Sequence, residues 1–159
     1  MNIFLAITLL LIPIGIKSNI HAYENMEEIN ANKKLLDVTH DYLTFINRLS
    51  QGEVFPDQDD AASIIAWDCQ KIFNGKLHTQ KREDFVSDLI EVNKTHGCWT
   101  VKPVDIISSP ENMCVTLRLM IDIEKLGAFT AIVILRFNSN YLISEINEVF
   151  NKLEGYNFD

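Results

Sequence analysis

MCVTLRLMIDI, residues 113–123, alternates between two kinds of side chain. Its odd positions are Met113, Val115, Leu117, Leu119, Ile121 and Ile123, and its even positions are Cys114, Thr116, Arg118, Met120 and Asp122. A period of two sends alternate residues to opposite faces of a strand. One face here is aliphatic and the other mixed. Upstream, residues 99–107 read as a strand, and Pro103 assigns it to an edge because proline cannot donate to a ladder. Downstream, residues 129–137 and 142–150 complete a four-stranded meander. Ser-Pro-Glu-Asn (109–112), Leu126-Gly127 and Asn138-Ser139-Asn140 mark its turns.

Before Gly97 the period is helical. Leu35, Val38, Tyr42, Phe45 and Leu49 form one stripe, widened by Leu36, Leu43 and Ile46. Asn25 and Glu28 have capping-box spacing at its start, and Gly52 stands where a C-cap glycine belongs. Residues 53–60 form a loop, and Asp59 or Asp60 caps a short second helix running to about Trp67. Asn74-Gly75 is the pair preferred by a tight hairpin turn, so 69–73 and 76–78 form a small hairpin. A third helix is expected from a Thr79 cap to Gly97. Three helices followed by a meander give an α+β plan, with helices on one face of a curved antiparallel sheet.

The 159 residues suit a single domain. The apolar run 3–16 is shorter than a membrane span and suits a secretory signal, cut after Ala22. That gives a leader over 1–22, a domain over 23–159, and a secreted or periplasmic protein with no stable membrane anchor. An uncleaved anchor is the rival reading. A net charge of −8 argues against nucleic acid, whose affinity rests on clustered Lys and Arg. Cys69, Cys98 and Cys114 show no metal-binding spacing, and the four histidines are scattered, so no metal or cofactor is expected. A Cys69–Cys98 disulfide is one arrangement for an exported chain. Asn93-Lys94-Thr95 is a glycosylation sequon.

If the turns centre on Leu126-Gly127 and Ser139, the odd positions of 113–123 and 129–137 share the helix-facing side. That side then takes Trp99, Val101 and Asp105 from the first meander strand, and Ser144, Ile146, Glu148 and Phe150 from the last. Glu148 stands among apolar walls, where burial raises a carboxyl pKa, which makes it the best acid/base candidate. The other side carries Arg118, Met120, Ile132, Ile134, Arg136 and Glu145, together with Val104, Ile106 and Ile143. Arg118 and Arg136 could pair with Glu145. This face is too apolar to be left wet and reads as an interface.

The order of elements resembles the nuclear transport factor 2-like superfamily, especially its SnoaL-like branch. The residues carrying the likeness are the long helix ending at Gly52, AWDC (66–69), NGK (74–76), GCWTV (97–101) and ILRFNSNYLISEINEVF (134–150). The resemblance implies a cystatin-like cone of sheet and helices with a pocket at its mouth, and a homodimer through the open sheet face. Together with the register above, it gives a candidate pocket of Tyr42, Trp67, Asp68, Trp99, Ser144 and Glu148. Trp67-Asp68 looks like a landmark at the end of the second helix, where the Asp accepts backbone hydrogen bonds.

Ketosteroid isomerase-like members carry their base about four residues further on, where this chain has Ile72 and Phe73. Their oxyanion tyrosine falls at Phe45, with Tyr42 a turn early. The His and Asp arrangement of dehydratases has no match. These departures favour a non-catalytic domain binding a small apolar ligand or a protein partner over an isomerase, cyclase or dehydratase using a pocket carboxylate. An anchored component of a secretion machine is a third reading, should the leader stay uncut.

Overall fold

A computed structural model describes residues 14–51 and 58–154. Helix α1 spans Ile14–Ser50, and the five-residue α2 spans Gln58–Ala62. Strands β1 (Ile65–Phe73) and β2 (Lys76–Thr79) form the small hairpin, and α3 spans Arg82–His96. Strands β3 (Trp99–Ser109), β4 (Cys114–Ile123), β5 (Gly127–Phe137) and β6 (Ile143–Lys152) form the meander. The expected α+β order is therefore present. The six strands make one sheet in the order β2-β1-β6-β5-β4-β3.

Several boundaries depart from expectation. The α1 backbone is already helical at Ile14, so Asn25 and Glu28 lie inside the helix and do not start it. Gly52 and most of the leader lie outside the described residues. Among those described, no helix is long and apolar enough to cross a membrane. The second helix stops at Ala62 because Ile64, Ile65 and Trp67 are β-branched or aromatic and favour a strand. Lys81, not Thr79, occupies the N-cap of α3, and Thr79 ends β2. The sheet is mixed: β1 runs parallel to β6, so the hairpin extends the meander at its β6 edge.

The core lies between the sheet and α1 and α3. Leu35, Ile65, Val115, Leu117, Leu135, Ile143 and Ile146 are fully buried. Each such side chain contributes roughly 1.5–3 kcal/mol relative to an exposed one. The β4–β5 register pairs Val115 with Leu135 and Leu117 with Val133, the shared face read from the sequence.

Two bulges alter that face. In β3 the register shifts between Pro103 and Asp105, so Asp105 turns to the open side and meets Arg118 at 2.6 Å. The same shift places Ile106 opposite Leu117, on the helix side, where the alternation had it open. At the start of β6, Phe137 pairs with Ile143 and Arg136 with Glu145, so Ser144 is the extra residue. Ile143 is thereby fully buried, contrary to its assignment to the open face.

The helices are tied down by polar contacts. Asn47 clasps the backbone of Val101: its side-chain N–H₂ donates to the carbonyl at 3.0 Å and its oxygen accepts from the N–H at 2.8 Å. The Ser50 hydroxyl donates to the Trp99 carbonyl. The Asn93 amide, half-buried, donates to the Ser50 carbonyl at 2.6 Å. The sequon asparagine thus locks α3 to α1, which is a poor position for a glycan. The three cysteines are free, with Cys69 buried and Cys98 exposed, so the Cys69–Cys98 bridge is not formed.

Candidate functional site

The Asn74-Gly75 turn organises one end of the site. Asn74 and Gly75 both have positive φ, 48° and 77°, as the tight turn requires. Asn74 then clamps β6 twice. Its N–H donates to the Glu148 carbonyl at 2.8 Å, and its side-chain oxygen accepts from the Phe150 N–H at 3.0 Å. This fixes the parallel register in which Phe73 faces Glu148. Alternation along β6 sends Ile146, Glu148 and Phe150 to the helix side, opposite Leu135, Val133 and Ala131.

A cavity of about 500 Å³ lies there between sheet and helices, within the ~300–1,000 Å³ range of small-molecule sites. Its walls are mostly apolar, including Ile46, Leu89, Val92, Leu119, Ile121, Phe129, Val133 and Phe150. Phe150 packs between Phe73 and Phe129, at 5.3 and 6.3 Å between ring centres. Tyr42, Lys71, Trp99 and Glu148 supply polar groups, with His96, Asn74 and Lys152 elsewhere on the wall.

Glu148 is 7% exposed and Lys71 equally so. The Lys71 ammonium lies 3.5 Å from the Glu148 carboxylate and 3.2 Å from that of Asp88 on α3. It also stands over the rings of Phe85 and Phe73, at 5.4 and 5.9 Å. Asp88 in turn meets His78 Nε2 at 2.9 Å. The result is a chain of four ionisable groups from the cavity to the surface.

Burial pushes the Glu148 carboxyl above its ordinary range; Lys71 opposes the rise, Asp88 adds to it, and His78 lowers it. Tyr42 is pushed well up by burial first, then by the neighbouring Glu148 and Cys69 charges. For Asp88, burial pushes upward but hydrogen bonds from His78 and Lys71 prevail and hold it below its ordinary value. Among the described residues, no group of three His, Cys, Asp or Glu side chains is placed to hold a metal ion.

Of the six candidate pocket residues, Tyr42, Trp99 and Glu148 line this cavity together. The other three lie outside it. Trp67 is 70% exposed and Asp68 is also exposed, because both fall in the irregular stretch of β1 between Ile65 and Gln70, where two successive side chains face outward. Ser144 is the bulge residue, and its hydroxyl donates to the Arg136 carbonyl at 3.2 Å. Lys71 and Asp88 are site residues that the sequence does not mark. A lysine within a strand and an aspartate on a helix carry no local signal; only the folded register joins them to Glu148.

The residues Arg118, Met120, Ile132, Ile134, Arg136 and Glu145 lie on the sheet face away from the helices. There Arg118 sits opposite Ile132, and Arg136 opposite Glu145. Arg136 meets Glu145 at 3.4 Å, whereas Arg118 pairs with Asp105.

No protein-family model and no curated protein sequence matches the chain. Solved structures do. A protein of unknown function with a cystatin-like fold from Methylobium petroleophilum PM1 superposes with a TM-score of 0.62 at 12% identity, over 79% of this chain and 82% of that one. The epoxide hydrolase/cyclase-like enzyme SalBIII, of pyran ring formation in the polyether salinomycin, gives 0.61 at 11% identity, over 75% and 92%. An LEH-like epoxide hydrolase of M. tuberculosis gives 0.58 at 14%, over 76% and 84%. An NTF2-like protein of unknown function from Exiguobacterium gives the same score at 11%, over 73% and 99%. At these identities the likeness is one of fold: the chain has a cystatin-like, NTF2-like fold.

Proposed function

We propose that this protein is a small acid/base enzyme acting on a compact, largely apolar molecule that carries one reactive oxygen function, such as a carbonyl or an epoxide. The observation that carries this reading is Glu148: a buried carboxyl with a raised pKa, at the wall of an apolar cavity of ligand size. A carboxyl brought nearer to neutrality can both give and take a proton. Lys71 offsets the charge left on Glu148 once it gives up its proton. The Tyr42 hydroxyl, on the same cavity wall as Glu148, is the donor at hand for a substrate oxygen. The carboxylate sought on β1, where Ile72 and Phe73 stand, is on this account supplied by β6, directly across from Phe73. The epoxide hydrolase and cyclase-like enzymes among the structures of similar fold are compatible with this chemistry.

A non-catalytic binding domain is the second reading, favoured by the largely apolar lining of the cavity. Turnover of a panel of small epoxides and cyclic enones, compared between the wild-type protein and Glu148→Gln, separates the two. Ligand binding is followed by the fluorescence of Trp99 on the cavity wall. The enzyme reading expects turnover to fall by roughly 10²–10⁴-fold with binding retained. Turnover undiminished in Glu148→Gln overturns it, and binding without turnover in the wild type selects the second reading. A two-fold homodimer through the open sheet face completes the proposal. Its support is the exposure of Ile132 and Val149 on that face.

A further inference from the structure

Glu148, Lys71, Asp88 and His78 come from β6, β1, α3 and β2, and successive members lie 3.5, 3.2 and 2.9 Å apart. Exposure grades along the chain. The Lys71 and Glu148 side chains are 8% and 9% accessible, Asp88 is 23% and His78 47%. Only the last member faces water broadly. The proposed acid/base work uses Glu148, Lys71 and Tyr42, so the outer pair calls for an explanation.

We propose that Asp88 and His78 are positioning residues that form a solvent-facing arm, which sets the charge on Glu148 through Lys71. Asp88 holds the ammonium between two carboxylates. When His78 is neutral, the cluster holds two carboxylates against one ammonium, and a proton on Glu148 removes the excess negative charge. When His78 is protonated, the charges balance with Glu148 ionised. A proton gained at the surface therefore favours loss of one in the cavity. Histidine suits that outer position because its ring can take up or release a proton.

The surroundings leave few competitors. Around Glu148, α1 brings Tyr42, β1 brings Lys71, α3 brings Asp88 and β2 brings His78, while β5 places the apolar Val133 opposite. His96 and Lys152 are the other titratable groups on the cavity wall.

The inference builds on the acid/base reading of Glu148, but its test needs no substrate, so the two can fail separately. The side-chain carboxyl of Glu148 is followed by ¹³C NMR across pH in glutamate-labelled protein, with Glu148→Gln giving the assignment. The wild-type curve should show a second step at the pH where the His78 ring titrates. His78→Gln should remove that step and move the Glu148 midpoint up. Asp88→Asn should move it down, since a neighbouring negative charge is lost while Lys71 remains. Shifts of about half to one pH unit are expected for charges separated by one or two side chains at intermediate dielectric. His96→Gln should leave the curve as it is. A Glu148 midpoint unmoved by either His78→Gln or Asp88→Asn overturns the arm, and so does a second step that persists in His78→Gln. A purely structural role for the pair would lower stability without moving that midpoint.

Discussion

Lys71→Met removes the ammonium that faces two carboxylates and keeps a side chain of similar length. Asp88 retains His78 and some access to water, whereas Glu148 is left buried with no cation beside it. Breaking a buried pair from one side costs about 3–5 kcal/mol when the remaining charge persists. A carboxyl has an escape, because it can take a proton. Burial already raises Glu148 above 4.5, and Lys71 is the largest influence opposing that rise, so the variant raises it further. A carboxyl whose folded-state pKa exceeds its unfolded value binds protons more tightly when folded. Its contribution to stability is best in acid and falls by about 1.4 kcal/mol per pH unit until the folded pKa is passed. The loss relative to wild type therefore grows between the wild-type and variant pKa values. Urea unfolding followed by circular dichroism should give a loss of about 1 kcal/mol near pH 5 and about 3–4 kcal/mol near pH 8. Adding Glu148→Gln should restore most of the loss at the higher pH. An equal loss at both pH values, or no recovery in the double variant, would refute the reasoning.

Asn47→Ala removes both hydrogen bonds to Val101 and leaves a part-buried N–H and C=O unmatched; a loss of about 2–3 kcal/mol in urea unfolding is expected. The Cys69 thiol is pushed up to about 12, chiefly by burial and then by Asp68 and Glu145, and the thiolate is the reactive form. A disulfide reagent near pH 8 should modify exposed Cys98 quickly and Cys69 only after denaturation, as read by mass spectrometry. On the open sheet face, Ile132→Glu should turn a dimer into a monomer by light scattering at micromolar protein. A monomeric wild-type protein would end the dimer proposal.

The fold was legible wherever one strong periodicity ran unbroken. The alternation in 113–123 and 129–137 predicted the inner face because β4 and β5 pair without a shift. Asn74-Gly75 foretold its turn because few other residue pairs accept two positive φ values. Asp105 and Ser144 depart from the simple alternation for a common reason: a single bulge residue reverses the facing of the strand on one side of it, and nothing in the composition of either strand announces one. Glu148 could be found from alternation alone. Its partners Lys71 and Asp88 could not, because the parallel β1–β6 pairing that brings Lys71 to it joins segments more than seventy residues apart. Trp67-Asp68 drew attention by composition, yet the irregular stretch of β1 between Ile65 and Gln70 put both in water.

The bulge in β3 also bears on how the protein behaves when crowded. A sheet has two open margins, each a template on which another chain can polymerise. At one margin β2 offers only four residues. At the other, β3 carries Pro103, which has no N–H to give, immediately before the irregularity at Val104. Neither margin presents a long, straight row of free donors and acceptors. Strand-by-strand growth into fibres is therefore poorly templated at both ends of the sheet.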